Sequence, residues 1–132
     1  MNDTALKPLL DDFPNQHVLV VGDLMVDEYL HGTVDRISPE APVQVVDVEE
    51  EEMTLGGAGN VLKNLTALDA DASIMSVLGS SEHADLIRDR LRDLNLREEL
   101  LVDEPDRISS KKTRVLAESY NQQIIRIDRE SR

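Results

Sequence analysis

Three glycines stand within four positions of the chain, at Gly56, Gly57 and Gly59, directly before a run of residues with helical spacing. Glycine adopts backbone angles that are costly for other residues, and it leaves no side chain between the backbone and a ligand. A helix that opens at such a turn points its unpaired N–H groups at whatever lies above it. With Asn60 as a donor and acceptor, the pattern favours a small polyhydroxyl or phosphorylated ligand. An ordinary loop closure accounts for the glycines equally well.

Composition narrows the class of protein. The 132 residues are enough for one domain with a modest core. A formal net charge of −13 opposes binding to nucleic acids or anionic membranes. There is no cysteine, and the three histidines do not cluster at metal-ligand spacing, so no metal site is predicted. Without a long apolar run or a signal segment, a soluble cytoplasmic protein is expected.

Two short apolar runs predict the main strands. His17 to Gly22 is continuously apolar after its first residue and ends in glycine, which is typical of a strand buried on both faces of a parallel sheet. Ala72 to Leu78, closed by Gly79, predicts a second such strand. Asp23 and Asp27 follow the first run. Because ligands of open α/β sheets bind at the carboxyl ends of the strands, both carboxylates are candidate ligand contacts.

Helical spacing appears twice. After the glycines, apolar residues recur at positions 58, 61, 62, 65 and 68, which predicts a helix over about 61–68 with one buried face. Ser80 or Ser81 can cap a second helix that runs to about Leu94. On its outer face the spacing predicts ion pairs between Asp85 and Arg88 and between Asp89 and Arg92.

Short strands fill the rest of the chain. They are predicted at about 29–34, 43–48 and 96–102, and as a hairpin of 111–117 and 122–128 around Glu118 to Asn121. The acidic run from Asp47 to Glu52 reads as a solvated edge or loop rather than a cation site. Residues 1–16 read as a short helix or a loose lead-in.

Four segments, in this order, carry a resemblance to a known family. They are Val20-Val21-Gly22-Asp23-Leu24-Met25-Val26-Asp27, Arg36-Ile37-Ser38-Pro39-Glu40-Ala41-Pro42-Val43, Leu55-Gly56-Gly57-Ala58-Gly59-Asn60-Val61 and Asn121-Gln122-Gln123-Ile124-Ile125-Arg126-Ile127-Asp128. Over about residues 17–130 the chain resembles the N-terminal part of a ribokinase-family, phosphofructokinase B type, sugar kinase. Within that family it is most similar to the kinases that phosphorylate D-glycero-β-D-manno-heptose 7-phosphate at the anomeric oxygen for ADP-heptose and lipopolysaccharide synthesis.

The resemblance implies an α/β fold, the N-terminal part of a ribokinase-like three-layer sandwich with a small β lid. All of residues 1–132 would form this partial kinase domain, with lid strands at about 29–48 and 111–128. Full members use ATP and Mg²⁺, and their later half carries a Gly-Ala-Gly-Asp motif whose aspartate is the catalytic base. No such motif occurs here. We therefore expect no catalytic residue in this chain, most of the ATP and Mg²⁺ sites outside it, and no phosphoryl transfer by the chain alone.

The resemblance also assigns roles to the candidate sugar-binding residues. Asp27 would accept hydrogen bonds from sugar hydroxyls, and Asp23 would assist it or orient the turn. Gly56 and Gly57 would form the hinge between the lid and the main domain, and Asn60 would bind a hydroxyl. The alternative is structural, with both carboxylates capping local N–H groups and Asn60 capping its helix.

Three cations, Lys112, Arg114 and Arg126, lie on the predicted hairpin and are candidates for the phosphate of the sugar. Ordinary exposed pairs with Glu118 or Asp128 are the alternative. Since small lid strands leave open edges, and lids of this family often clasp a second subunit, a homodimer is expected.

Two other functions are consistent with the sequence. One is a non-catalytic protein that kept only sugar binding or dimerisation. The other is a kinase of the same family that acts on another sugar or a nucleoside. The only argument against it is that the Arg36 to Val43 segment resembles that of the heptose-phosphate kinases.

Overall fold

The computed structural model describes residues 3–117 and 122–130, and among the side chains those from residue 6 onward within these ranges. Three α-helices, a short 3-10 helix (Phe13–Asn15) and seven strands form in these ranges. The helices are α1 (Asp3–Asp11), α2 (Ala58–Ala67) and α3 (Glu82–Asp93). The strands are β1 (His17–Val21), β2 (Leu24–Ile37), β3 (Gln44–Gly57), β4 (Asp71–Leu78), β5 (Leu101–Asp103), β6 (Ser110–Ala117) and β7 (Gln122–Arg129).

The main sheet has three parallel strands in the order β1-β4-β5. Both predicted buried strands form, but the expectation that they are buried on two faces is wrong. Ala72, Ile74 and Leu78 of β4 are buried on the face that helix α2 covers. On the other face Val21 is 68% exposed and Met75 41% exposed. The apolar run therefore marks a strand whose second face has no cover among the described residues.

The second sheet, which we call the lid sheet, has the strand order β3-β2-β6-β7. Strands β2 and β3 are antiparallel, β2 and β6 are parallel, and β6 and β7 form the predicted antiparallel pair. The turn predicted at Glu118 to Asn121 lies outside the described residues. Strands β2 and β3 each have 14 residues, far more than the predicted segments, and β3 ends in the glycine pair.

The core lies between α2, α3 and the inner faces of the two sheets. Its largest fully buried side chains include Leu62, Ile74, Leu78, Ile87 and Leu91. Spacing of i, i+4 places Ile87 and Leu91 on one face of α3, as predicted. In α2 the predicted face is only partly buried, because Val61 is 48% exposed and Leu68 46% exposed. Helix α2 also begins three residues earlier than predicted, at Ala58.

Helix α2 ends in a Schellman motif. The N–H of Ala70 donates to the carbonyl of Leu65 at 3.0 Å, and that of Asp69 to Thr66 at 3.0 Å. This motif places Asp69 at φ 61°, in the left-handed region that glycine adopts without strain. An aspartate at this angle is less favourable than a glycine would be, so this end of the helix is less stable than it would be with glycine.

The charged face of α3 follows the prediction in part. Arg92 pairs with Asp89 at 2.8 Å. The predicted pair of Asp85 with Arg88 is wrong, since Arg88 instead donates to Glu98 at 2.8 Å and also pairs with Asp103. Glu98 and Asp103, which follow the helix in sequence, thus take the place of Asp85 as the ion-pair partners of Arg88. The hydrogen bond with Glu98 raises the pKa of Arg88.

The acidic run lies along β3, an edge strand of the lid sheet, and all its glutamates at positions 49–52 are exposed. Charged side chains on an edge oppose pairing with another chain. The prediction of a solvated edge is therefore confirmed. None of the helices in the described ranges is long and apolar enough to cross a membrane.

Candidate functional site

Two rows of polar side chains cross all four strands on one face of the lid sheet. Residues paired directly across neighbouring strands point to the same face. In the strand order β3, β2, β6 and β7, the first row is Thr54, Asp27, Lys112 and Asp128, and the second is Glu52, Tyr29, Arg114 and Arg126. The structure thus brings together four of the residues that the sequence singled out, namely Asp27, Lys112, Arg114 and Arg126.

The contact between Asp27 and Arg114 lies at the centre of this face. Nη1 of Arg114 donates to Oδ1 of Asp27 at 2.5 Å, and the two side chains are 23% and 16% exposed. The guanidinium also lies 5.2 Å from the centre of the Tyr29 ring, within range of a cation–π interaction. The hydrogen bond to Asp27 raises the pKa of Arg114. A carboxylate and a cation are therefore held together in a partly buried place.

The other two cations of the face flank this pair. Arg126 donates to both carboxylate oxygens of Asp128, at 2.9 and 3.0 Å. Lys112 stands between Asp27 on β2 and Asp128 on β7, directly opposite each of them. Cations and carboxylates alternate along the first row, whereas Arg114 and Arg126 stand directly opposite each other in the second. The face thus carries both carboxylates and a group of cations, which suits a ligand with both hydroxyl groups and a negative charge.

The two glycines at the end of β3 are required by close neighbours, a carboxylate beside Gly56 and a backbone carbonyl beside Gly57. A Cβ on Gly56 would lie 2.3 Å from Oδ2 of Asp27, and one on Gly57 would lie 2.6 Å from the carbonyl oxygen of Asp23. Gly57 also has φ 58°. These residues lie where the lid sheet meets helix α2, the junction at which the sequence predicted a hinge.

Asn60 lies in the first turn of α2 and is exposed. Its carbonyl accepts a hydrogen bond from Nδ2 of Asn64 at 2.8 Å. The residue at the cap position is Gly57, and no side chain caps the helix. The structural alternative for Asn60, that it caps this helix, is therefore wrong, and its side chain faces solvent at the helix start.

Sequence reasoning missed Arg107, which lies in the loop between β5 and β6. Its Nη2 is 3.2 Å from Oδ1 of Asp23, so Asp23 has a cation of its own. No spacing rule connects residues 84 positions apart, and a single arginine in a loop forms no pattern. The sequence indicated Gly79 only as the end of the second apolar strand, whereas in the structure the backbone of Arg107 packs against it.

Sequence reasoning also missed the Glu28 cluster, made of Glu28, Lys111 and Thr113 on the reverse face of the lid sheet. Glu28 is 5% exposed. Nζ of Lys111 lies 2.5 Å from one of its oxygens, and the Thr113 hydroxyl donates to the other. Burial alone would raise the pKa of Glu28, but the hydrogen bonds from Lys111 and Thr113 outweigh it and hold that pKa below its ordinary value of 4.5. The cluster joins β2 to β6 directly behind Asp27 and Arg114.

Among the described residues, no group of three or more histidines or carboxylates is placed to hold a metal ion.

Comparison with known proteins identifies the family. Residues 15–132 match the pfkB family of carbohydrate kinases. The chain belongs to this family. It is 58% identical over 114 residues to the bifunctional protein HldE of Citrifermentans bemidjiense, a match that covers 86% of this chain and 23% of the relative. The HldE of Syntrophotalea carbinolica is 48% identical over 132 residues, which are 100% of this chain and 26% of the relative. The chain therefore spans about a quarter of the length of these curated relatives.

Solved structures confirm the ribokinase-like fold. A putative ribokinase from Agrobacterium tumefaciens superposes with a TM-score of 0.67 at 17% identity, covering 86% of this chain and 36% of that one. The Arabidopsis thaliana ribokinase complexed with ribose and ATP gives 0.66 at 18% identity, covering 86% and 35%. The Burkholderia thailandensis nucleoside kinase in complex with inosine gives 0.63 at 25% identity, covering 85% and 34%.

Proposed function

We propose that this chain provides the sugar-binding face of an ATP-dependent carbohydrate kinase whose substrate is D-glycero-β-D-manno-heptose 7-phosphate. The observation that carries the proposal is the row Asp27, Lys112 and Asp128 with Arg114 and Arg126 beside it. Asp27 would accept hydrogen bonds from sugar hydroxyls, since a carboxylate is a strong acceptor and Gly56 places no side chain against its second oxygen. Asp23 and Asn60 would add contacts at the base of the lid.

The cations would bind the phosphate that the sugar already carries. Arg114 and Arg126 each hold a planar guanidinium at the site, which is suited to two-pronged contacts with phosphate oxygens. Lys112 adds a compact charge beside them, two residues before Arg114 on the same strand. A sugar phosphate needs carboxylates that accept hydrogen bonds from its hydroxyl groups and cations that bind its phosphate, and this face offers both. A plain sugar would leave the three cations without a ligand partner.

In the whole kinase the reaction would be phosphoryl transfer from ATP, with Mg²⁺, to the anomeric hydroxyl in the cytoplasm. Catalysis of this kind depends mainly on positioning and on stabilisation of charge. The residues described above would hold the sugar, and the catalytic base and most of the nucleotide site would come from the later half of the kinase. We therefore expect the isolated chain to bind sugar phosphate without catalysing transfer.

Two observations support the heptose over other sugars. The Arg36 to Val43 segment resembles that of the heptose 7-phosphate kinases. The curated relatives are named as bifunctional proteins, which accords with a kinase fused to a second enzyme.

Calorimetric titration of the chain with D-glycero-D-manno-heptose 7-phosphate tests the proposal, with fructose 6-phosphate and unphosphorylated heptose as comparison ligands. We expect the heptose phosphate to bind most tightly. Equal binding of the two phosphates would refute the assigned substrate and leave a sugar-phosphate site. Binding of none of the three would refute the assembly of the site in this chain.

We also propose that the lid sheet forms a homodimer through its reverse face. Ile125 and Ile127 of β7 lie on that face and are 52% and 40% exposed. Apolar side chains exposed side by side on an edge strand are a common contact surface. Light scattering at about 50 μM should give twice the mass of one chain, and Ile125→Lys with Ile127→Lys should give a monomer. A monomeric parent chain at this concentration would refute the proposal.

A further inference from the structure

A fourth cation lies at the other end of the candidate site. Arg107 reaches Asp23, which directly precedes β2, whereas Asp27 and its cations lie four residues further along the same strand. At about 3.3 Å per residue, Asp23 and Asp27 are roughly 13 Å apart. Cations therefore contact carboxylates at two separate places, Arg107 at Asp23 and Arg114 at Asp27, as a sugar with a phosphate at each end would require.

The backbone around Arg107 is fixed at the ligand-binding edge of the main sheet. A Cβ on Gly79 would lie only 1.7 Å from the carbonyl oxygen of Arg107, so the loop can approach strand β4 only because residue 79 is glycine. The N–H of Gly79 also donates to the hydroxyl of Ser109 at 2.9 Å, and Ser109 is 2% exposed. Gly79 follows the carboxyl end of β4, which is the edge where ligands of parallel sheets bind.

The guanidinium itself is available to a ligand. The side chains of Arg107 and Asp23 are 35% and 69% exposed, and their closest atoms are 3.2 Å apart. Exposed pairs of this kind contribute little to stability. By contrast, the pair of Arg114 and Asp27 is shorter and more buried. A phosphate group with two free oxygens can replace the single contact to Asp23 by a two-pronged one.

We propose that Arg107 binds the phosphoryl group that is transferred to the sugar, while the lid cations bind the phosphate already present. This assignment rests on the proposed function. In the transfer, the bond from the γ-phosphorus of ATP to the bridging oxygen breaks and leaves ADP. The anomeric oxygen forms the new bond to phosphorus, and its proton passes to the base of the whole kinase. Arg107 donates hydrogen bonds to the non-bridging oxygens, whose charge is present before and after transfer.

Calorimetry with two ligands tests the assignment on the chain itself. The ligands are heptose 7-phosphate and heptose 1,7-bisphosphate, which mimics the product. The parent chain should bind the bisphosphate more tightly. In Arg107→Gln, affinity for the bisphosphate should fall about tenfold or more, and affinity for the monophosphate should stay within about twofold. Arg107→Lys should recover part of the preference. Arg90→Gln, which breaks an exposed pair with Asp93 on helix α3 at 3.4 Å, is the matched control and should change neither.

A second variant separates binding from structure. Asp23→Asn breaks the same ion pair but keeps the cation, so the ratio of the two affinities should stay at the parent value or rise. Two results would show a structural role and overturn the assignment. In the first, the preference for the bisphosphate falls as much in Asp23→Asn as in Arg107→Gln. In the second, Arg107→Gln weakens the binding of both ligands equally. A parent chain without preference for the bisphosphate would overturn it too. A parent chain that binds neither ligand would refute the proposed function instead.

Discussion

Replacement of Gly56 by alanine tests how closely the end of β3 approaches Asp27. The added Cβ would lie 2.3 Å from Oδ2 and 2.6 Å from Cγ of Asp27. Since non-bonded carbon and oxygen atoms need well over 3 Å, the carboxylate must move by about 1 Å. Such a movement would disturb its 2.5 Å contact with Arg114.

The expected cost combines two effects. Forcing extra atoms into a packed site costs about 1–3 kcal/mol, and a weakened charge-assisted hydrogen bond adds to it. We expect the free energy of unfolding to fall by about 2–4 kcal/mol, measured by urea denaturation with circular dichroism. The dissociation constant for the sugar phosphate should rise about tenfold or more.

Gly22→Ala is the matched control, because its Cβ would meet only the Cβ of Ala58, at an ordinary 3.4 Å. It should change stability by less than about 1 kcal/mol. In an Asp27→Ala background most of the penalty of Gly56→Ala should vanish. An equal penalty with and without the Asp27 carboxylate would refute the reasoning, since the clash would then lie elsewhere.

Three further predictions address other contacts. Arg114→Ala should weaken binding of the sugar phosphate in calorimetry by about 10- to 100-fold, since a charge-assisted hydrogen bond is lost; an unchanged dissociation constant would remove Arg114 from the site. Because the pKa of Glu28 is lowered in the folded chain, its stabilising effect is complete above pH 4.5 and is lost as the pH falls below that value through the folded pKa. Glu28→Gln should therefore flatten urea stability against pH below 4.5, and an unaltered profile would contradict this. Asp69→Gly should raise the free energy of unfolding by about 0.5–1 kcal/mol, since φ 61° favours glycine; a lower midpoint would count against it.

Local patterns predicted the parts of the fold that depend on local spacing. The apolar runs located β1 and β4, and the i, i+4 spacing of Ile87 and Leu91 located α3. The lengths of β2 and β3 escaped prediction because Asp27, Glu28 and the run of glutamates are poor strand formers on average. Strand pairing overrides that preference. In the lid sheet Asp27 and Glu28 pair with cations of β6, and the glutamates of β3 are exposed to solvent.

The candidate site was predicted to a similar extent. Alternation placed Lys112 and Arg114 on one face of β6, and the resemblance pointed to Asp27. The parallel pairing of β2 with β6 joins residues 85 positions apart, and it brings Asp27 to Arg114, which follows it by 87 residues. Arg107 and the Glu28 cluster depend on equally distant partners, 84 and 85 positions away. No local spacing encodes such contacts, so only the structure reveals them.

The parallel pairing of β2 with β6 sets an order of events during synthesis of the protein. Arg114 follows Asp27 by 87 residues, and a ribosome adds about 5–20 residues per second. Asp27 is therefore made roughly 4–17 s before its partner exists. During that time the carboxylates of Asp27 and Glu28 lack the β6 cations with which they pair in the folded chain. Strand β2 can therefore pair with β3, but its other edge stays unpaired until β6 is made. The central strand of the lid waits as an open edge on the nascent chain, and a chaperone or a second nascent copy has those seconds in which to bind it.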